Sequence, residues 1–142
     1  MGPILILEDN SVTLQDIGDV LRSQHYRVLE ATTSLEALET ARRRGSISLL
    51  ITKMDLPDAS GIDVALELIA LNPELPVLIT SSDAKAWWAH GGISNFSRFP
   101  PNNLDFMAKP FSASELLMRV RNLIGQTPYF RNSRKHHRDQ AA

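Results

Sequence analysis

The chain has 142 residues, a length that suits one domain, and 43% of them are apolar, enough for a buried core and too many for a disordered chain. No apolar run is long enough to span a bilayer, and no basic stretch followed by a long apolar one opens the chain. The absence of cysteine rules out disulfides and thiol catalysis and fits a reducing, cytoplasmic setting. The net charge of −1 conceals an asymmetry: residues 1–125 carry 11 Lys/Arg against 15 Asp/Glu, whereas residues 126–142 carry 4 against 1.

Short apolar runs alternate with segments of helical spacing. Ile4 to Leu7 predicts a first strand, and Leu14, Ile17 and Leu21 mark a first helix. Val28-Leu29 marks the second strand. Leu35, Leu38 and Ala41 mark the second helix, opened by Thr33 with Glu36 three residues on, the pattern of a capping box. Leu49 to Ile51 predicts the third strand, and Ile62, Ala65, Leu66 and Ile69 stripe the third helix. Val77 to Ile79 gives the fourth strand. Residues 83–104 break the rhythm: two helical turns through Trp87-Trp88 run into Gly91-Gly92 and then Pro100-Pro101, which predicts a short or distorted fourth helix and a mobile connection. Phe106-Met107 marks the fifth strand. Leu116, Leu117, Val120, Leu123 and Ile124 stripe the last helix, with Ser112 and Glu115 as a second capping box and Gly125 as its cap. Strands alternating with helices imply βαβ units, and five of them predict an α/β doubly wound parallel sheet over residues 1–125, followed by a basic, flexible tail over 126–142.

In such sheets functional groups gather beyond the carboxyl ends of the strands. Four candidates stand there: Glu8-Asp9 after the first run, Lys53 after the third, Thr80 after the fourth and Lys109 after the fifth. Singly, each is an ordinary loop or surface residue. Together they mark one site.

The stretch Leu49-Leu50-Ile51-Thr52-Lys53-Met54-Asp55-Leu56-Pro57, with the acidic pair after Ile4–Leu7 and the Lys109-Pro110 that follows Phe106-Met107, resembles the receiver domain of two-component response regulators. The resemblance covers roughly residues 3–124 and implies the flavodoxin-like strand order 2-1-3-4-5. It also implies roles. Glu8 and Asp9 occupy the Mg²⁺ position, Thr80 the hydroxyl that meets the phosphoryl oxygen, Lys109 the lysine that neutralises its charge, and Phe106 the aromatic switch. The position of the phospho-acceptor aspartate holds Lys53. Lys53 removes the acceptor and a metal ligand and adds a cation; an ammonium about 4 Å from a carboxylate gains on the order of 4 kcal/mol at an effective dielectric near 20, before desolvation. The expectation is that Lys53 bridges Glu8 and Asp9, so that no cofactor is bound, with Mg²⁺ required only if the acceptor Asp were present.

The functional expectation is a stand-alone, receiver-like phosphorelay protein, not an enzyme, working through protein–protein contacts with a sensor histidine kinase or another signalling protein. The alternatives are a true phospho-acceptor, through Asp55 or because Lys53 is an engineered replacement, and a nucleic-acid-associated regulator using the basic cluster Arg134-Lys135-His136-His137-Arg138. Asp55 reads more simply as a turn residue, and the basic cluster as a solvated terminus. Helical neighbours point about 100° apart, so of Trp87 and Trp88 one is expected inside and the other outside, on an 83–124 face that suits a homodimer or partner.

Overall fold

A computed structural model describes residues 1–89 and 97–125. The basic tail and the Gly91-Gly92 connection lie outside them. Ten elements alternate: β1 (Ile4–Leu7), α1 (Ser11–Ser23), β2 (Val28–Ala31), α2 (Ser34–Arg44), β3 (Leu49–Lys53), α3 (Gly61–Leu71), β4 (Val77–Ser81), α4 (Ala84–Ala89), β5 (Leu104–Ala108) and α5 (Ala113–Ile124). All strands pair in parallel in the order β2-β1-β3-β4-β5, the order expected.

The strands are near-continuous apolar runs because both faces of the sheet are covered. Successive side chains alternate between two cores. Leu5, Leu7, Leu50, Val77 and Ile79 pack with α2, α3 and Trp87 on one face. Ile4, Ile6, Leu49, Ile51 and Leu78 pack with Ile17, Leu21, Leu116 and Val120 of α1 and α5 on the other. Each fully buried aliphatic side chain contributes roughly 1.5–3 kcal/mol relative to exposure. β2, an edge strand, is only half-buried at Val28 and Leu29.

The helix starts are fixed by side-chain caps, though not all as expected. Asn10, a favoured capping residue that the apolar spacing does not single out, accepts from the amides of Val12 at 3.1 Å and Thr13 at 3.0 Å. Thr33 caps α2 by accepting from Glu36 N–H at 3.1 Å, but the Glu36 carboxylate takes the amide of Thr32 at 2.7 Å, one residue before the box position. Ser112 caps α5 by accepting from Glu115 N–H at 3.0 Å; the Glu115 carboxylate is instead drawn to Arg119, since a guanidinium is a stronger partner than an amide. Gly125 closes α5 in right-handed geometry, whereas Gly45 closes α2 at φ 70°, the left-handed turn glycine tolerates without strain. The fourth helix is short, six residues, as Gly91-Gly92 predicts.

The strand order reverses between β1 and β3. Their carboxyl ends therefore open a crevice that neighbouring helices cannot fill, and this is where the polar side chains collect.

Candidate functional site

Glu8 and Asp9 follow β1 directly. Consecutive residues leaving a strand point in opposite directions, and the two carboxylates diverge: Glu8 is 1% exposed, while the Asp9 side chain is 30% exposed. Lys109 arrives from the end of β5, where its amide donates to the Ser81 carbonyl at 2.8 Å and its peptide bond to Pro110 is cis. Its Nζ reaches Glu8 Oε1 at 2.5 Å, and Asn10 N–H donates to Glu8 Oε2 at 3.0 Å. Lys53, at the end of β3, donates from Nζ to Asp9 Oδ1 at 2.9 Å.

The four charged groups thus form two separate ammonium–carboxylate pairs. Lys53 does not bridge both acids, as the sequence suggested; Lys109 holds Glu8 because Glu8 turns inward, toward β5. The Lys53 hydrogen bond holds the Asp9 carboxyl below the usual carboxylate range, and the same bond holds the Lys53 ammonium above the usual lysine value, with the Asp9, Glu8 and Asp55 charges adding to it. Among the described residues no group of three or more His, Cys, Asp or Glu side chains comes together as a metal site.

Thr80 stands beside Lys53 in the β3–β4 register and is buried, and its carbonyl accepts from the Met54 amide at 2.8 Å. The chain then turns tightly. Gly61 N–H donates to the Met54 carbonyl at 2.7 Å, and Asp55 bridges Ser60 across the turn, exposed and outside the two ion pairs. A β-carbon on Gly61 would lie 2.1 Å from the Lys53 carbonyl oxygen, so only glycine lets α3 start this close to the site.

Two features of the neighbourhood, the Asp58–Ser34 link and the grip of Arg119 on Asp105, gave no sequence signal. Asp58, in the same turn, accepts from the Ser34 hydroxyl at 2.5 Å and the Ser34 amide at 3.2 Å. The Ser34 bond keeps its carboxyl below the usual range and ties the turn to the start of α2. The link joins residues 24 apart, beyond any local pattern. Arg119 of α5 grips Asp105 of β5 through both carboxylate oxygens, at 3.0 and 2.9 Å, and Glu115 besides. Gly61 stands where the polar turn after β3 gives way to the apolar stripe that begins at Ile62.

On the far side of β4, Phe106 stacks on Trp87, ring centroids 4.8 Å apart and planes 17° from parallel. Trp87 is 0% exposed, and Trp88 meets it edge-on at 6.4 Å and is 55% exposed. One tryptophan is therefore inside and one outside, as helical spacing required.

The response regulator receiver domain profile matches residues 4–121. The probable transcriptional regulatory protein TcrX of Mycobacterium tuberculosis is 30% identical over 125 residues, which are 87% of this chain and 50% of that protein. The cell cycle transcriptional regulator CtrA of Caulobacter vibrioides is 28% identical over 125 residues, 85% of this chain and 49% of its own length. This chain spans about half the length of these relatives. Among solved structures, a response regulator receiver domain protein from Clostridium thermocellum superposes with a TM-score of 0.76 at 26% identity, over 89% of this chain and 96% of the other.

Proposed function

We propose, for a chain that belongs to the response-regulator receiver domain family, that its site signals without aspartyl phosphorylation. Receivers are signalling modules of two-component pathways; this one works by protein–protein contact, as a constitutive adaptor or competitor facing a histidine kinase or another signalling protein. The observation that carries the reading is the 2.9 Å bond from Lys53 Nζ to Asp9 Oδ1 at the end of β3.

Phosphoryl transfer to a receiver needs a carboxylate nucleophile at that position and a divalent cation to spread the charge. Here the nucleophile's place holds an ammonium, which is protonated and raised further by Asp9. The donor set does not suit Mg²⁺, which requires near-octahedral oxygen ligation. Glu8 is taken by Lys109 and Asp9 by Lys53, and a cation entering would face two ammonium groups. Asp55 is exposed on the turn, outside the two ion pairs, and makes a poor substitute acceptor. The exposed Trp88, with Met118 half-exposed on α5, supports a contact face within residues 83–124 for a partner or a second copy. No helix among the described residues is long and apolar enough to cross a membrane.

The test is incubation with acetyl phosphate and Mg²⁺ followed by intact mass and peptide mapping. The unaltered chain should gain no phosphoryl group, and Lys53→Asp should gain one at residue 53. A phosphorylated wild-type chain would overturn the proposal, and a label mapped to Asp55 would move the acceptor there.

A further inference from the structure

Charge is divided along the axis of the sheet. In a parallel sheet each crossover helix runs back against the strands. The carboxyl ends of α1, α2, α3 and α5 therefore meet the amino ends of the strands, at the end of the molecule opposite the ion pairs. Two contacts knit this base together. Arg121 donates to Gln24 Oε1 at 3.4 Å, which joins the ends of α5 and α1, and Arg27 donates to the Met1 carbonyl at 2.8 Å. Arg42, Arg43 and Arg44 occupy the last turn of α2. All five arginines are exposed, and none is in an ion pair within the described residues. Among the described residues, the last turns of these four helices and the loops after them hold a single acid, Glu74. Glu39, one turn back on α2, lies near Arg42 and Arg43 but forms no ion pair with them. Three full charges outweigh the partial negative charge of a helix end, about half an elementary charge.

The far end is the reverse. Glu8, Asp9, Glu36, Asp55, Asp58 and Asp63 stand there, and so do the three lysines of residues 1–125, Lys53, Lys85 and Lys109. Among the described residues the base thus carries arginine and no lysine. The chain also continues from the base: α5 closes at Gly125, and residues 126–142 add 4 Lys/Arg against 1 acid.

We propose that the base docks on the phosphate backbone of a nucleic-acid duplex, without reading its sequence, through Arg27, Arg42, Arg43, Arg44 and Arg121. A duplex carries one negative charge per ~1.7 Å of its axis, whereas an extended acidic segment offers at most one per ~3.3 Å. Guanidinium groups match phosphate oxygens two at a time. Consecutive helical positions point about 100° apart, so Arg42, Arg43 and Arg44 fan around the end of α2 and suit a repeating array of anions better than one small anion. The acidic end of a second copy is a poorer fit, because its carboxylates are engaged: Glu8 by Lys109, Asp9 by Lys53, Asp58 by Ser34 and Glu36 by Thr32. A lipid surface rewards buried apolar area, and among the described residues the large bare apolar side chains at the base are Met1 and Leu71 alone. The acidic far end turns away from a polyanion, so the field of the whole chain orients its approach. The proposal does not depend on whether Lys53 bars phosphorylation, since the two sites share no residue.

The probe is a fluorescein-labelled DNA duplex of about 20 base pairs and arbitrary sequence, titrated with the full chain between about 50 and 200 mM salt and followed by fluorescence anisotropy. We expect a Kd on the order of 10 μM at the lower salt, and a slope of log affinity against log salt of about −4 or steeper, since five arginines displace counterions. Arg42→Gln, Arg43→Gln and Arg44→Gln combined should flatten that slope by about 2–3 and weaken binding at the lower salt by about tenfold or more. Lys85→Gln, at the far end, should change neither. These positions are exposed, and unchanged urea unfolding verifies the fold of each variant. No rise in anisotropy at the lower salt, a wild-type slope in the triple variant, or an equal loss in Lys85→Gln would each overturn the proposal. Vesicles of phosphatidylserine and phosphatidylcholine that bind as tightly as the duplex would assign the base to a membrane surface instead. Polyglutamate that displaces the duplex at equal charge concentration would assign it to an acidic protein.

Discussion

Lys53 and Lys109 each hold one carboxylate, yet they contribute unequally. The Lys53–Asp9 pair is about a quarter to a third exposed on both sides, so water screens it and removal of either partner leaves the other hydrated. The Lys109–Glu8 pair buries its acid almost wholly, and an unpaired carboxylate there has no water to turn to. Lys53→Met should therefore cost about 1 kcal/mol of stability, and Lys109→Met about 3–5 kcal/mol, as read from urea unfolding at neutral pH. Equal losses would mean that the burial of Glu8 is relieved in some other way. The pH profile of the Lys53→Met loss follows from the two shifted groups. The Asp9 carboxyl lies below its ordinary 3.8 in the fold, so the pair's contribution is complete above that pH and disappears as pH falls through the lower folded value. The Lys53 ammonium lies above its ordinary 10.5, so the contribution is complete below that pH and is lost as pH rises through the higher folded value. The difference in melting temperature between wild type and Lys53→Met should thus be flat between these limits and shrink outside them. A difference that varies across the neutral range would assign it to another group.

The turn from β3 into α3 decides where Lys53 sits. Its tightness depends on Gly61, whose missing side chain leaves room for the Lys53 carbonyl. Gly61→Ala has to push backbone against backbone, and we expect a loss of about 1–3 kcal/mol together with amide shifts at Lys53 and Met54. A neutral substitution would show that the turn relaxes freely. At this scale the sequence was readable where the core dictates structure. Ile4–Leu7 is apolar at every position because both faces of β1 are covered, and the run matched the strand residue for residue. β2 and β5, at the edges, each carry an acid, Glu30 and Asp105, so only part of each strand was visible as an apolar run. The four site positions were legible as strand ends. Which lysine meets which acid was not, because that depends on the side each carboxylate faces after β1. The reciprocal arm of each capping box also went elsewhere, Glu36 to Thr32 and Glu115 to Arg119, since competing partners exist only once the helices are packed.

Across the whole molecule, α3 runs from the ion-paired end toward the opposite end of the sheet, a span of about 16 Å for its eleven residues. At the edge of the sheet, the two adjacent indoles differ in one respect that experiment can exploit. Trp87 is sealed against Phe106 while Trp88 meets solvent. Iodide in bulk water can collide with the second ring and not with the first, so a Stern–Volmer plot should curve downward and level off at a residual emission. Trp88→Phe should make the protein almost insensitive to the quencher, whereas a linear plot reaching full quenching would show that both rings are open. A protein that settles on this face would shelter Trp88 and flatten the plot, giving an optical signal of docking without any attached label.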